Sequence, residues 1–454
     1  MLSQLKNALP FDFDGLRAGE FSRLDDQGIA YLDFAASGLY SASQVAAYAQ
    51  RLQRSVYGNP HSEHGPSQES ARDLAAARAT ALDFFGADPD LYDICFTANT
   101  SAALKLVAEA FPFGPNNGLV LSADNHNSVN GMREFARKAG APINILPLAD
   151  DLRLEDVGAR LREIARAAGL GLFAFPTQSN FSGVKHDLSV VEEAQALGFS
   201  VMIDSAGSGA LGGISLKQHP ADFVAFSFYK MFGLPTGLGA LIAKRSALAK
   251  LARPWFAGGT VDFVSVALDQ HQQHLGHEGF EDGTPNFLNV GAVEAGFSFL
   301  ARVPRKKLEA RLRALTAYFL ERAGALAHAD GSPLVKIYGP ANLVDRGFTV
   351  AFNVLGRDGA AMPYAPVERR AANAGVALRG GCFCNPGAAE RAFGFSRFRV
   401  FECLEKLRDN FRIDSFQTCL GSDATVGALR LSVGLPTNFA DVDRALSLIA
   451  SFRA

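Results

Sequence analysis

The sequence predicts an α/β protein with a seven-stranded, mainly parallel sheet in a large domain and a smaller C-terminal α+β domain. Three observations predict it. From about residue 90, short continuously apolar runs alternate with stretches of 3.6-residue periodicity, the pattern of strands covered by helices on both faces. Near residue 300 the pattern changes to long helical periodicity with scattered short strands. Finally, 454 residues, 48% apolar and 20% charged, suffice for two or three domains with ample cores.

The expected strands of the large sheet span 92–98, 118–123, 143–148, 171–176, 200–205, 222–228 and 237–244, with helices at 101–110, 128–139 and 154–168 between them. The second pattern runs through a helix at 305–329, strands at 335–338, 348–354, 376–379 and 428–433, and a last helix at 439–452. This gives residues 1–40 as a segment packing on either domain, 41–300 as the large domain and 301–454 as the small one. Ligands of open α/β sheets sit at the carboxyl ends of strands, so the chemistry is sought there.

Composition narrows the class. With 44 basic and 46 acidic side chains, the net charge of −2 gives no electrostatic footprint for nucleic acid or a membrane surface. The odd count of five cysteines, spread over a long chain, argues against a disulfide framework and for reduced thiols in the cytoplasm. Met1–Pro10 lacks a basic region followed by an apolar run, so no leader is expected. No apolar stretch approaches the length of a membrane span.

Asp204 falls at the carboxyl end of strand 200–205, and Lys230 follows strand 222–228 on apolar ground. Desolvation there lowers a lysine's pKa and makes it a candidate Schiff-base nucleophile. A fixed Asp on the adjacent strand is what a pyridinium nitrogen requires. A snorkelling lysine beside a capping Asp fits the same positions. Thr100 and Ser101 open a helix after strand 92–98, where N–H groups and hydroxyls suit either a phosphate or a simple cap; Ser227 offers a further hydroxyl. Glycines 207, 209 and 212 match G-x-G-x-x-G, but no good helix follows and no acidic residue ends the next strand. Ser227 and Lys230 form S-x-x-K without a K-T-G, which argues against a penicillin-binding site. The histidines at 61/64 and 271/274/277 lack a third ligand, and no metal site is expected.

The stretch 376–388, VALRGGCFCNPGA, brings Arg379 to a Gly/Pro-bounded loop bearing Cys382 and Cys384. Arg379 suits a bidentate grip on a carboxylate. A loop cysteine near that positive charge suits a reactive thiolate, while inert half-buried thiols fit the pattern too.

Taken in order, YLDFAASG (31–38), YGNPHSEHGPS (57–67), FTANTSAALKLV (96–107), DNHNSVNGMRE (124–134), PTQSNFSGV (176–184), IDSAGSG (203–209), SFYKMFGLPTGLGALI (227–242), FEDGTPNF (280–287) and LRGGCFCNPGA (378–388) resemble class V enzymes of the pyridoxal-phosphate (PLP) fold-type I superfamily. The similarity is to cysteine desulfurases, and within them to the desulfurase domain of molybdenum cofactor sulfurases. It implies Lys230 as the PLP lysine, Asp204 as partner of the pyridine nitrogen, Thr100, Ser101 and Ser227 at the phosphate, and Asn180 on the ring-hydroxyl side. His126 is expected to stack on the ring, with Asn125 as the alternative. Thr284 would reach the phosphate of a neighbouring subunit, which implies a homodimer. Arg379 would anchor the substrate carboxylate, and Cys384 would accept sulfur from L-cysteine as a persulfide, releasing alanine. Gly207 and Tyr229 stand where ordinary desulfurases carry Gln and His, departures that the sulfurase branch shares. The sulfur acceptor is left open by the resemblance, with a molybdenum cofactor as one candidate. The alternative is a class V aminotransferase, epimerase or carbon–sulfur lyase without persulfide chemistry. A catalytically silent scaffold binding a sulfur-transfer partner is a third reading, against which Lys230 argues.

Overall fold

A computed structural model describes residues 11–421 and 424–454. Met1–Pro10, in which no leader is expected, lies outside the described residues. The seven apolar runs form strands β1 (Tyr92–Thr97), β2 (Asn117–Ser122), β3 (Ile143–Leu146), β4 (Leu170–Pro176), β5 (Ser200–Asp204), β6 (Phe223–Ser227) and β7 (Gly239–Lys244). Their order in the sheet is β1-β7-β6-β5-β4-β2-β3.

Both faces of this sheet are covered, which is why its strands read as continuous apolar runs. Phe173, Phe175, Val201, Ile203, Val224 and Phe226 face one core, while Leu172, Ala174, Met202, Phe223 and Ala225 face the other. β7 runs antiparallel to both its neighbours, and the other pairings are parallel. Hydrophobicity carries no strand direction when both faces are buried, so β7 looks like its parallel companions in sequence. The carboxyl ends of β1, β2, β4, β5 and β6 therefore share one edge, and the amino end of β7 joins them there.

After β7 the chain forms an exposed hairpin, β8 (Val261–Ser265) and β9 (Gln270–Gln273), then helices Phe287–Ala301 and Arg305–Gly324. A four-stranded antiparallel sheet follows: β10 (Val335–Tyr338), β11 (Thr349–Val354), β12 (Arg379–Gly381) and β13 (Ala428–Ser432), in the order β10-β11-β13-β12. The residues before 40 tie the two sheets together. Ala30–Tyr31 pairs in parallel with Val376–Ala377, Arg17 bonds Asp441 at 2.5 Å, and Gly38 N donates to Tyr229 O at 3.0 Å.

Four local expectations change. Lys230 does not end a strand; it lies in a short helix, Phe228–Phe232, closed by Gly233 at φ 80. A β-carbon on Gly233 would fall 2.2 Å from Tyr40 N, so glycine is needed for closure and for close approach. The helix at 128–139 is two, Asn127–Asn130 and Met132–Lys138, meeting at Gly131. The strand at 376–379 is also two, because the chain changes partner from Ala30–Tyr31 to β13 within it. Last, the thiols are not all reduced. Cys403 and Cys419, 16 residues apart on helices Arg397–Leu407 and Ile413–Leu420, form a disulfide inside a small core with Phe416 and Val426. That pairing comes from how two helices pack, which cysteine spacing does not record.

Among the described residues no helix is long and apolar enough to cross a membrane. No group of three or more metal-ligating side chains gathers among them. His277 instead bonds Asp93 at 3.1 Å, His274 pairs with Asp262 at 2.7 Å, and His64 caps a helix.

Candidate active site

The shared edge of the large sheet encloses a cavity. The turn after β1 contributes Asn99, Thr100 and Ser101; β2 is followed by His126 and Ser128; β4 by Gln178 and Asn180. β5 ends in Asp204 with Gly207 beyond it, and β6 leads into Ser227, Tyr229 and Lys230.

One end is rich in hydroxyls at a helix N-terminus. Asn99 caps helix Thr100–Ala110, its Oδ1 accepting from Ala102 N at 3.0 Å. Thr100 N donates to Ser227 Oγ at 2.8 Å, the two hydroxyls lie 2.6 Å apart, and Ser101 Oγ is 2.5 Å from Ser128 Oγ. The helix dipole and these hydroxyls suit a phosphate.

The other end holds Lys230 and Asp204. Burial drives the Lys230 amine below its ordinary range, against the opposing pull of Asp204, and Arg430 and Arg379 push it further down. Asp204 is 6% exposed, and Oδ1 accepts from Ala206 N at 3.0 Å. His126 is also held below its usual value by burial, countered by Asp204. Its Nδ1 accepts from Ser128 N at 3.1 Å, which leaves Nε2 to carry the proton of the neutral ring. Asn125 is fully buried, donating to Ser122 O at 2.8 Å and Ala174 O at 3.1 Å, so of the two stacking candidates His126 is the one lining the cavity.

The Arg/Cys segment borders this cavity from the smaller sheet. Asn385 N donates to Cys382 O at 3.0 Å, closing a turn whose central residues, Phe383 and Cys384, have φ of 56° and 55°. Positive φ at both central positions marks a type I′ turn, strained without glycine and often kept at functional sites. The Phe383 ring is buried between Phe181, 5.4 Å away, and the Arg430 guanidinium at 4.8 Å, while Cys384 is exposed. The Cys382 thiol donates to Val426 O at 3.1 Å, and burial, then its neighbour Cys384, push it up to about 11. Arg379 is half-exposed, and its Nε donates to Asp33 Oδ2 at 3.0 Å. Its two terminal nitrogens have no partner among the described residues. Thr284 lies apart from the cavity of its own chain, accepting from Asn59 Nδ2 at 3.2 Å.

Sequence reasoning gave no role to three residues found here. Gln178 Nε2 donates to Gly207 O at 3.0 Å, and a β-carbon at Gly207 would meet Gln178 O at 2.5 Å. A side-chain amide from the end of β4 thus stands against Gly207. Arg430 is buried, with Nη2 on Asp33 Oδ1 at 2.9 Å and Nη1 on Asn180 O at 3.0 Å. Asn385 bonds both Asp124 and Asn180. Gln178 and Asn385 sit in the segments PTQSN and CFCNPG, where polar residues among turn formers were the available signal.

Comparison with known proteins places the chain among relatives of one family. Molybdenum cofactor sulfurases of tomato (Solanum lycopersicum) and Homo sapiens are 35% and 34% identical over 97% and 96% of this chain, which covers 57% and 51% of them. The chain thus spans about half the length of these curated relatives. A cysteine desulfurase from Thermococcus onnurineus superposes with a TM-score of 0.77 at 24% identity, covering 96% of this chain and 97% of its own. The Escherichia coli cysteine desulfurase CsdA gives 0.76 at 24%, covering 97% and 98%. These show the fold. The family described as Aminotransferase class-V matches residues 30–444, and the chain belongs to that family.

Proposed function

We propose that the protein is a PLP-dependent L-cysteine desulfurase that loads sulfur onto Cys384. One observation carries the reading: a single cavity gathers Lys230, Asp204, His126 and a hydroxyl-rich helix N-terminus, and the Cys384 turn is hydrogen-bonded to its wall through Asn180. These residues fit the coenzyme. Thr100, Ser101 and Ser227 would hold its phosphate, Asp204 its pyridine nitrogen, Lys230 its carbonyl carbon, and His126 would cover its ring. Asn180 has a second Nδ2 hydrogen to offer the ring hydroxyl.

When bound, the coenzyme supplies an electron sink that acidifies the substrate's Cα–H. Burial keeps a neutral fraction of Lys230 amine, which suits it to take that proton. The free terminal nitrogens of Arg379 grip the substrate carboxylate as a fork. The Cys384 thiolate attacks the substrate sulfur, the carbon–sulfur electron pair stays with carbon, and protonation there yields alanine and a Cys384 persulfide. This requires Cys384 to stay reduced, as in the cytoplasm. Residues 41–300 then form the coenzyme domain and 301–454 the domain of the Arg/Cys loop. A second copy of the chain, brought by the exposed Phe263, Val266, Leu268 and Leu275 beside Thr284, completes a homodimer. The relatives' names support a molybdenum cofactor as the sulfur acceptor.

The test is to incubate wild-type protein and Cys384→Ala with PLP and L-cysteine, measuring alanine and the mass of the Cys384 peptide. Wild type should form alanine and gain one sulfur atom on Cys384, and the variant should lose at least about 10²-fold of its alanine formation, the scale on which nucleophiles contribute. Equal rates in both proteins overturn persulfide chemistry. Faster turnover of another amino acid favours an aminotransferase or lyase.

A further inference from the structure

The Cys384 turn is held at each of its carbonyls. Cys382 O accepts from Asn385 N at 3.0 Å, Phe383 O from Asn180 Nδ2 at 2.6 Å, and Cys384 O from Asn127 N at 2.7 Å. Asn180 lines the cavity and Asn127 stands between the lining residues His126 and Ser128, so the turn is fastened to the site itself.

Asn385 is the centre of the fastening. It is fully buried, and its Nδ2 donates to Asp124 Oδ1 at 2.6 Å and to Asn180 Oδ1 at 2.9 Å. Its own Oδ1 accepts from Ala388 N at 3.2 Å, capping helix Pro386–Phe393. Asp124 is fully buried and otherwise accepts from Ser179 Oγ at 2.8 Å and meets His186 Nε2 at 2.9 Å. If the turn lifts, Asp124 loses a charge-assisted bond, and Asn180 loses both its anchor from Asn385 and its acceptor at Phe383. The strain of two left-handed non-glycine residues favours lifting. Backbone strain and the hydrogen bonds thus act on the turn in opposite directions.

We propose that Asn385 is a positioning residue that latches the Cys384 turn onto the coenzyme pocket and couples its closure to pocket occupancy. The inference rests on the reading of the pocket as a PLP site. Asn180 is the shared part. Held by Asn385 and Phe383, its amide is fixed with one hydrogen left for a ring hydroxyl; a ring in the pocket in turn fixes Asn180 in the orientation that the turn needs. By linkage, whatever factor the latch adds to coenzyme affinity, the coenzyme adds to latching. In this state Cys384 is presented at the cavity, and release of the turn carries the loaded sulfur outward to an acceptor.

The test uses the full chain with and without PLP, in wild type, Asn385→Ala and Asn385→Asp. Asp at 385 keeps the shape but sets a second carboxylate against Asp124, and so should act more strongly than Ala. Two readouts need no turnover: PLP affinity by absorbance titration, and the rate of Cys384 alkylation by iodoacetamide, followed by peptide mass. Asn385→Ala should alkylate Cys384 about tenfold faster than wild type in the absence of PLP and bind PLP several-fold more weakly, the scale of one lost charge-assisted bond. Any further slowing of alkylation by PLP should be smaller in the variant than in wild type. A core variant remote from the turn, Ile449→Val, controls for general destabilisation and should change neither quantity. Unchanged alkylation and unchanged PLP affinity in both Asn385 variants overturn the latch. If wild type fails to bind PLP, the reading of the site falls, while the alkylation arm without PLP still decides whether Asn385 holds the turn.

Discussion

The carboxyl edge of the large sheet and the turn at 382–385 meet at one cavity but are built by opposite means. At the edge, each residue's position follows from where a buried strand ends: Asp204 closes β5, Ser227 closes β6, and Thr100 opens the helix after β1. Packing on both faces of the sheet fixes these ends to within the tolerance of a core. At the turn, position follows from hydrogen bonds between residues some 200 apart, acting against unfavourable backbone angles. The difference teaches a division of labour. A rigid edge holds Lys230 and Asp204, and a strained, hydrogen-bonded turn holds the cysteine proposed to carry sulfur.

Lys230 is the sharpest probe of the rigid side and carries the largest expected effect. Lys230→Met should lower cysteine turnover by at least about 10³-fold, since it removes both the coenzyme attachment and the base of the proposed reaction. Stability should move the other way. Burial lowers Lys230 below its ordinary 10.5, so between its folded value and 10.5 the unfolded chain binds more protons there than the folded one, and across that window the group's contribution to stability rises with pH. Lys230→Met should therefore raise the thermal midpoint of the coenzyme-free protein at pH values below that window, and the gain should shrink as the pH climbs towards 10.5. A gain constant with pH would remove burial of the amine as its cause.

The edge was legible in the sequence because hydrophobic runs are written locally. Asp204, Ser227 and Lys230 could be placed at strand ends from their own neighbours, even though Lys230 proved to sit on a short helix. The direction of β7 was not legible, since GALIAK reads the same either way between two covered faces. The turn's supports were illegible for a different reason. Asn385 looks like a helix cap, which it also is; nothing nearby announces Asp124 as its partner. Arg430 stands in the apolar strand ALRLS, and its partner Asp33 lies 397 residues away. The disulfide between Cys403 and Cys419 depends on two helices docking over Phe416, which no spacing rule encodes.

Arg430 and Arg379 set the same contrast side by side, because both bond Asp33 from adjacent strands. Arg430 is buried, and removing it leaves Asp33 partly uncompensated and Asn180 O without a donor. Arg430→Met should cost about 3 kcal/mol in urea unfolding, as expected for a broken buried pair. Arg379 is half-exposed, so Arg379→Met should cost under about 1 kcal/mol. Turnover should divide them differently: Arg379→Lys, which keeps the charge but loses the fork, should raise KM for L-cysteine about tenfold with the smaller change in kcat. Equal stability losses in the two Met variants would mean that their surroundings do not differ as described.

The smallest expected effect separates two cysteines of one turn. Cys382 and Cys384 are two residues apart, yet one thiol is half-buried against Val426 O and pushed up to about 11, while the other is exposed. Thiolate is the reactive form, and two pH units below its pKa a thiol is only about 1% ionised. Iodoacetamide at moderately alkaline pH should therefore mark Cys384 and leave Cys382 unmarked until the pH approaches 11 or the turn opens. Cys382→Ala removes one weak sulfur hydrogen bond and should change stability by about 1 kcal/mol or less, with sulfur still loaded on Cys384. Persulfide found on Cys382 instead would exchange the two roles. The half-buried position would then be the one that opens, and the latch at Asn385 would be guarding the wrong thiol.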